Sequence, residues 1–188
     1  MVYADVFRPS VRRQAAVYDV ALVLGASLFI ALAARIAVPL PFSPVPVTGQ
    51  TLAVLLVGAL LGSRRGALSV LAYLAEGAMG LPVFAGGAAG ISRLMGPTGG
   101  YLFGFVIAAF LTGWLAERGW DRRFATTLAM MGIGNATIYL LGLPYLASFV
   151  GVGHVLALGL YPFIVGDIAK SILAALLLPS AWKLLNSH

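Results

Sequence analysis

The chain is 188 residues long, 61% hydrophobic and only 10% charged, with a net charge of +6 at neutral pH. A water-soluble domain is usually about 45–50% apolar and about 25% charged, so this composition offers too few polar groups to cover a soluble fold. It excludes a disordered chain and a water-facing catalytic domain, and the basic residues are too dispersed for a nucleic-acid-binding face. With a mean hydropathy of +0.98, the sequence predicts an integral membrane protein.

Six apolar segments predict an all-α protein with six transmembrane helices, because a helix needs about 20 residues to cross the hydrocarbon core. A tail over residues 1–17 precedes the first helix, and a single domain covers residues 1–188. The predicted helices cover approximately residues 18–38, 47–61, 67–81, 101–116, 124–143 and 155–185.

Prolines and glycines set two of these boundaries. The run from Pro39 to Pro46 is expected to end helix 1, because proline removes an amide donor and restricts the residue before it. Residues 124–166 contain no Asp, Glu, Lys or Arg and are too long for one crossing. Pro144 and Gly151 are therefore expected to separate helix 5 from helix 6.

The distribution of basic residues predicts the orientation. In a six-helix arrangement nine of them fall on one side, whereas Arg35 and Arg93 fall on the other and Lys170 lies within a span. Because loops rich in Lys and Arg stay in the cytoplasm, both termini are predicted to be cytoplasmic. The nine residues are Arg8, Arg12, Arg13, Arg64, Arg65, Arg118, Arg122, Arg123 and Lys183.

The segment 82–100, on the outer side between helices 3 and 4, is too rich in glycine for a regular helix. Glycine lets the backbone approach a ligand closely, and non-helical backbone near bilayer depth must be buried in protein or line a cavity. The segment, with Phe84, Gly86 and Gly87, is therefore predicted to be a lid or a ligand-cradling loop. The alternative is a flexible outer loop, against which its apolar residues count.

Asp167 and Lys170 lie three residues apart in helix 6 and therefore share one helix face. Each costs about 2.5–3.5 kcal/mol at the bilayer centre, so both must be paired, hydrated or functional. One interpretation is a mutual ion pair that only orients helix 6. The other is a polar site that faces the bundle interior and exchanges hydrogen bonds with a small ligand.

Other polar residues are candidates for the same cavity. Thr48 and Gln50 follow the proline-rich run and either contact a ligand at the outer rim or cap helix 2. Asn135 and Tyr139 lie one turn apart on helix 5 and face either this cavity or a neighbouring helix. Arg93 meets either an acidic ligand group or the lipid headgroups.

Further residues suit helix contacts and charge balance. Ala21 and Gly25 have a small-xxx-small spacing that favours close helix packing. Glu76 is an intramembrane carboxylate, and Arg35 is expected to neutralise it at the outer interface.

Several motifs are missing from the sequence. It has no cysteine, only two histidines, and no G-x-x-x-x-G-K-[ST], H-E-x-x-H or G-x-S-x-G motif. A metal site, ATP hydrolysis and nucleophilic catalysis are therefore not expected of this chain.

Four runs in order along the chain resemble the BioY family, the biotin-specific substrate-binding (S) components of energy-coupling factor (ECF) transporters. The resemblance implies a six-helix protein of the bacterial cytoplasmic membrane that captures biotin on its outer side, without a cofactor and without altering the vitamin. The runs are Pro44-Val-Pro-Val-Thr-Gly-Gln-Thr51, Gly80-Leu-Pro-Val-Phe-Ala-Gly-Gly87, Gly96-Pro-Thr-Gly-Gly-Tyr101 and Pro162-x-x-x-Gly-Asp-x-x-Lys170.

The resemblance also implies roles for the candidate residues. Asp167 and Lys170 resemble the pair that holds the ureido head of biotin, because a carboxylate accepts from its N–H groups and an ammonium donates to its carbonyl. Residues 84–100 resemble the family lid, with Tyr101 near its end. The residues that resemble the contribution of the first outer loop are Thr48 and Gln50.

Arg93 is the expected partner of the biotin carboxylate. Ala88 and Ala89 stand where some relatives have a polar residue such as asparagine, so backbone contacts are expected to replace side-chain contacts there. The partners implied are a transmembrane coupling protein, contacted by helix 1 through Ala21 and Gly25, and ATP-binding subunits. Membrane lipid surrounds the chain, and association into a homo-oligomer is left open.

Three other functions stay open at this stage. The nearest is an S component for another vitamin, although the four matched runs favour biotin. An intramembrane enzyme that uses Asp167 and Lys170 as acid and base lacks a nucleophile. A self-sufficient secondary transporter usually has two related halves, and no repeat is visible in the sequence.

Overall fold

The computed structural model describes residues 2–186, and most of them are helical. Short 3₁₀ turns lie at Ala85–Gly87 and Trp120–Arg122. The helices are α1 (Tyr3–Val6), α2 (Arg12–Arg35), α3 (Gln50–Leu61), α4 (Ser63–Ala78), α5 (Ile91–Leu94), α6 (Gly99–Glu117), α7 (Phe124–Val150), α8 (Val155–Gly159) and α9 (Tyr161–Asn186).

Four helices are long and apolar enough to cross a membrane: Arg12–Arg35, Gly99–Glu117, Phe124–Val150, and Val155–Leu185, which takes α8 and α9 together. The protein is therefore a multi-pass membrane protein. The 12-residue α3 rises only about 18 Å, against a hydrocarbon core of about 30 Å. Gly62 alone, with a φ of +85°, separates α3 from α4.

The protein is mostly helical, as expected, but the proline-rich run forms a β-hairpin that the expectation of helices alone did not include. Strand β1 (Ala37–Leu40) pairs antiparallel with β2 (Ser43–Thr48). The register is irregular between Val38 and Leu40, where Pro39 has no N–H to give to the ladder. A proline-rich stretch ends a helix, as predicted, but its extended backbone also suits a short edge pairing.

Helix boundaries differ most at α7, which continues through Pro144 to Val150. The prediction that Pro144 ends helix 5 at residue 143 is wrong, because a membrane-spanning helix tolerates the loss of one backbone hydrogen bond. Gly151, with a φ of +80°, ends the helix instead. Helix 6 is interrupted at Leu160, which has non-helical torsion angles between α8 and α9.

The other predicted boundaries shift by a few residues. Helix 1 begins within the predicted tail, at Arg12, and ends at Arg35, before the hairpin. The remaining predicted segments, 47–61, 67–81 and 101–116, correspond to Gln50–Leu61, Ser63–Ala78 and Gly99–Glu117.

Helix α6 packs against α3, α4 and α7 and so lies at the centre of the bundle. Glycines allow the close approach of its neighbours. A Cβ at Gly58 of α3 would overlap Thr112 and the backbone of Ala109 in α6, and a Cβ at Gly66 of α4 would lie 2.8 Å from the Cα of Gly58. These close contacts hold α3 and α4 against α6.

Ion pairs link α1, α2 and α4 at the end of the bundle opposite the hairpin. A buried carboxylate, Asp121, also lies at this end. Arg65 pairs with both Asp5 and Asp19. Burial opposes ionisation of Asp5, but the N–H of Val2 and the Arg65 guanidinium outweigh it and lower the pKa of this carboxyl. Asp121, at the turn before α7, is fully buried, and burial raises its pKa.

The expected pairing of Arg35 with Glu76 does not form. Ser27 donates to Glu76 Oε1 at 2.8 Å. Arg35 donates instead to the carbonyl of Pro82 at 2.8 Å. Arg35 therefore holds a loop rather than neutralising the carboxylate.

We predict that Gly58→Ala lowers the free energy of unfolding by about 1–3 kcal/mol and lowers the melting temperature accordingly, because the added methyl group has no space against α6. The matched control is Gly132→Ala in α7, where a Cβ would have no atom within 4 Å. Alanine should stabilise that helix slightly. Thermal unfolding of the purified protein in detergent measures both, and equal melting temperatures for the two variants would contradict the packing role of Gly58.

Candidate ligand-binding pocket

A pocket lies where the hairpin, the glycine-rich segment and helices α3, α6, α7 and α9 meet. It holds about 850 Å³ of space when the open mouth is included. Twelve of its twenty lining residues are apolar or aromatic, and the other eight are polar or charged. The lining residues are Pro44, Val45, Pro46, Thr48, Gln50, Thr51, Phe84, Ala85, Ala88, Arg93, Thr98, Tyr101, Leu102, Phe105, Asn135, Ile138, Tyr139, Phe163, Asp167 and Lys170.

Asp167 and Lys170 form the polar floor of this pocket. Their side chains are 3.4 Å apart, and Asp167 is only 7% exposed. Lys170 Nζ also donates to the Thr48 carbonyl and to Thr51 Oγ1, each at 2.8 Å, and Tyr139 donates its hydroxyl to Asp167 Oδ2. The residues thus pair with each other and also face the bundle interior, and binding of a small ligand by this pair stays a prediction.

Thr48 and Gln50 lie at the start of α3, and contact of either with a ligand stays a prediction. Thr48 Oγ1 accepts the N–H of Gln50, the first residue of α3, at 3.3 Å. Gln50 is buried and donates to the hydroxyl of Tyr73 at 2.7 Å. Both residues also line the pocket, so the end of the hairpin and the start of α3 form one side of it.

Asn135 lines the pocket, and its side-chain oxygen is available to accept a hydrogen bond from a ligand. Its Nδ2 is 3.3 Å from Ser171 Oγ, which agrees with the expected helix contact. Its Oδ1 is buried and, within residues 2–186, has no hydrogen-bond partner. A buried acceptor without a partner is costly, and a ligand donor would remove that cost.

The glycine-rich segment folds against the bundle through Phe84. This ring is only 2% exposed and meets Tyr73 edge-on at 5.5 Å. Gly77 provides the space, since a Cβ there would overlap the ring. Gly86 and Gly87 have φ values of +67° and +82° and turn the chain, so that the flanking Ala85 and Ala88, rather than the glycines, line the pocket.

Tyr101 fixes the break between α8 and α9. Its hydroxyl donates to the Gly159 carbonyl at 2.9 Å, and Ser43 of the hairpin donates to the Leu158 carbonyl at 2.7 Å. Both carbonyls are left without helical partners by the interruption at Leu160. The pocket wall is thereby tied to the last helix, which carries the Asp167–Lys170 pair.

The remaining predicted residues lie apart from the polar floor. Arg93 is exposed and lines the pocket, and no carboxylate among residues 2–186 lies within ion-pair distance of it. Ala21 and Gly25 are exposed on α2, and a Cβ at Gly25 would have no atom within 4 Å.

Sequence reasoning missed several lining residues, including Thr51, Phe105 and Phe163. Thr51 lies within a run already singled out, and its place one turn after Thr48 could have indicated it. Phe105 and Phe163 are aromatic residues in apolar helices and carry no local signal. Residues 2–186 contain no group of three or more His, Asp or Glu residues that could hold a metal ion.

A pocket with largely apolar walls and one buried ion pair, inside a bundle of membrane helices, is the arrangement expected of a membrane protein that binds a small molecule. A sequence profile of the BioY family matches residues 9–187. The chain belongs to the BioY family.

Relatives in this family are named as biotin transporters. The biotin transporter BioY of Rhizobium etli is 41% identical over 162 residues, which cover 82% of this chain and 87% of the relative. A probable biotin transporter BioY of Pyrococcus horikoshii is 44% identical over 154 residues, covering 80% and 90% respectively.

A solved structure has a similar fold. The crystal structure of the S component for biotin from an ECF-type ABC transporter superposes with a TM-score of 0.76 at 26% identity. The match covers 93% of this chain and 95% of that one. The similarity therefore extends over nearly the whole chain.

Proposed function

We propose that this protein is the biotin-binding S component of an ECF-type transporter and serves biotin uptake across the cytoplasmic membrane. The relatives' names and the similar S-component structure support this function. The observation that carries it is the Asp167–Lys170 pair on the floor of a largely apolar pocket. That arrangement suits a ligand with a polar head and an apolar body.

The ureido head of biotin, with two N–H donors and one carbonyl, is proposed to bind at this pair. Asp167 Oδ2 already accepts from Tyr139, whereas Oδ1 has only two long contacts, at 3.4 Å from Lys170 and from Thr51. A carboxylate offers about four lone-pair sites, so Oδ1 has capacity for a ligand N–H. Asn135 Oδ1 provides the second acceptor, and Lys170, whose contact with Asp167 is long at 3.4 Å, gives up that contact and donates this N–H to the ureido carbonyl.

The rest of the pocket is proposed to hold the ring system and the side chain of biotin. Phe84, Tyr101 and Tyr139 supply aromatic surface, and the backbone at Gly86 and Gly87 shapes the lid around it. Thr48 and Gln50 keep the start of α3 in place beside the polar head. Arg93, at the pocket surface, pairs with the carboxylate at the end of the side chain.

The chain is proposed to cross the membrane six times as one domain, with both termini in the cytoplasm. Besides the four long spans, the short α3 and α4 would complete two crossings, with the hairpin and the glycine-rich segment filling the outer part of the bilayer. Basic residues support this orientation: Arg8, Arg64 and Arg65 gather around one cleft, at the end opposite the hairpin. Positive residues are retained on the cytoplasmic side.

Partner subunits are proposed to supply the energy. The sequence has no phosphate-binding loop, so a coupling protein and ATP-binding subunits would drive reorientation of the bound protein. Ala21 and Gly25 present a smooth, exposed strip on α2, which suits close contact with a helix of the coupling protein. The relatives are named as transporters rather than enzymes, and biotin is the ligand rather than a cofactor.

Replacing either member of the ion pair should abolish tight biotin binding. Asp167→Asn removes the charged acceptor, and Lys170→Met removes the donor while keeping much of the side-chain volume. We expect at least a hundredfold weaker binding, about 3 kcal/mol, since a charged hydrogen bond is lost and a buried partner is left unpaired. Labelled biotin and the purified protein measure the affinity directly.

The control is Lys183→Met, which removes an exposed lysine near the other end of the same helix. It should bind biotin like the wild type. Unchanged affinity in both Asp167→Asn and Lys170→Met would rule out the proposed ureido site, and a wild type that prefers another vitamin in competition would redirect the substrate assignment.

Arg93→Ala should show whether Arg93 binds the carboxylate end of the ligand. The variant should bind biotin about fivefold to tenfold more weakly, because an exposed ion pair contributes about 1 kcal/mol. It should bind the neutral amide of biotin as well as the wild type does. Equal losses for biotin and its amide would show that Arg93 acts on the fold of the loop and not on the carboxylate.

Gly25→Leu should reduce assembly with the coupling protein and ATP-binding subunits while leaving biotin affinity unchanged. The bulky side chain would stand on the proposed contact strip, where it has open space in the isolated chain. Gly132→Leu, at an equally open position on α7, is the control. Co-purification measures assembly, and an equal yield for both variants would argue against contact through this face of α2.

A further inference from the structure

Arg35 ends α2 and contacts the glycine-rich segment at two points. Its Nη2 donates to the Pro82 carbonyl at 2.8 Å. Its Nη1 would lie 2.8 Å from a Cβ placed on Gly87, so the guanidinium lies directly against the glycine backbone. No carboxylate among residues 2–186 lies within ion-pair distance of Arg35, and its other donors are therefore not engaged by an acid.

The segment from Pro82 to Ala88, which we term the 82–88 turn, is closed by its own hydrogen bonds. The Phe84 N–H donates to the Ala88 carbonyl at 2.9 Å, and the Gly87 N–H donates to the Phe84 carbonyl at 2.9 Å. These bonds hold the turn in its closed shape, so their loss on opening exposes the Phe84 and Gly87 amides to exchange. On its inner side Phe84 is wedged against Tyr73, and on its outer side lies Arg35.

The end of α2 also touches the other segment that frames the pocket. The Ile36 carbonyl accepts the N–H of Gly49 at 3.0 Å. A Cβ on Gly49 would lie only 2.8 Å from the Ala33 carbonyl. Gly49 lies between the pocket residues Thr48 and Gln50. The end of α2 is thus fixed to the frame of the pocket, and Arg35 extends from this fixed point to the 82–88 turn.

We propose that Arg35 is a positioning residue that holds the 82–88 turn closed over the pocket and thereby sets the rate at which bound ligand leaves. This inference rests on the proposed function, because the ligand is taken to be biotin. Phe84, Ala85 and Ala88 of the turn line the pocket, so a ligand beneath them leaves when the turn opens. Opening breaks the Arg35–Pro82 hydrogen bond, both when a ligand leaves and when one enters the closed pocket.

Helix α2 carries the Ala21–Gly25 strip near its middle and Arg35 at its last residue, within one continuous helix. The 82–88 turn is therefore in contact with the same helix that we propose to contact the coupling protein.

The test compares Arg35→Ala, Arg35→Lys and the control Arg64→Ala, which removes an exposed arginine at the opposite end of the bundle. Dissociation of labelled biotin is followed after a chase with unlabelled biotin, and association is measured separately. Arg35→Ala should release biotin about tenfold faster and should also take it up faster, since the turn must open for both steps and is held by one contact fewer. Arg35→Lys, which keeps a donor, should restore part of the slow release.

A second measurement needs no ligand. Hydrogen exchange of the Phe84 and Gly87 amides reports opening of the 82–88 turn, and it should be about tenfold faster in Arg35→Ala than in the wild type or in Arg64→Ala. A shared melting temperature confirms that the variants are folded. Faster exchange around the whole bundle, instead of in this turn, would assign Arg35 a general structural role and overturn the inference.

The two measurements separate the failure of this inference from that of the proposed function. If wild-type protein binds biotin but Arg35→Ala matches Arg64→Ala in both release and exchange, Arg35 does not hold the turn. If wild-type protein does not bind biotin while exchange of the turn still accelerates in Arg35→Ala, the proposed function fails and the positioning role of Arg35 stands.

Discussion

The architecture of this protein depends on keeping one ion pair inside an apolar bundle. Asp167 and Lys170 are stable there because their neighbours satisfy them: Tyr139 donates to the carboxylate, and the Thr48 carbonyl and Thr51 hydroxyl accept from the ammonium. Removing two charges from water is costly unless their hydrogen-bonding capacity is filled. The hairpin end, α3, α7 and α9 must therefore converge on one point, and that convergence creates the pocket.

The pocket is built largely by backbone that is not helical. The hairpin and the glycine-rich segment leave peptide groups outside helices, which membrane proteins tolerate only where protein or a cavity shields them. Internal pairing solves this problem in both segments: β1 pairs with β2, and the 82–88 turn bonds to itself. The broken last helix is completed by Tyr101 and Ser43 in the same way. Irregular backbone is thus concentrated where a ligand has access.

Under the proposed function, ligand binding and energy supply belong to different subunits. The chain has a pocket with a buried ion pair, a turn that covers it, and one helix that reaches from this turn to the exposed Ala21–Gly25 strip. Its sequence carries no motif for ATP hydrolysis. The energy would then come from other subunits, and the similarity in fold to an S component of an ECF-type transporter agrees with this division.

The sequence by itself determined the membrane class, the ion pair and the glycine-rich segment, because composition and i, i+3 spacing are local properties. It also named nine of the twenty residues that line the pocket. Only the tertiary structure decided that the prolines form a hairpin, that α7 continues through Pro144, and that Phe105 and Phe163 line the pocket. It also decided that Arg35 contacts Pro82 instead of Glu76. These outcomes depend on which distant segments pack together, and a periodicity of a few residues carries no information about contacts 40 to 120 positions apart.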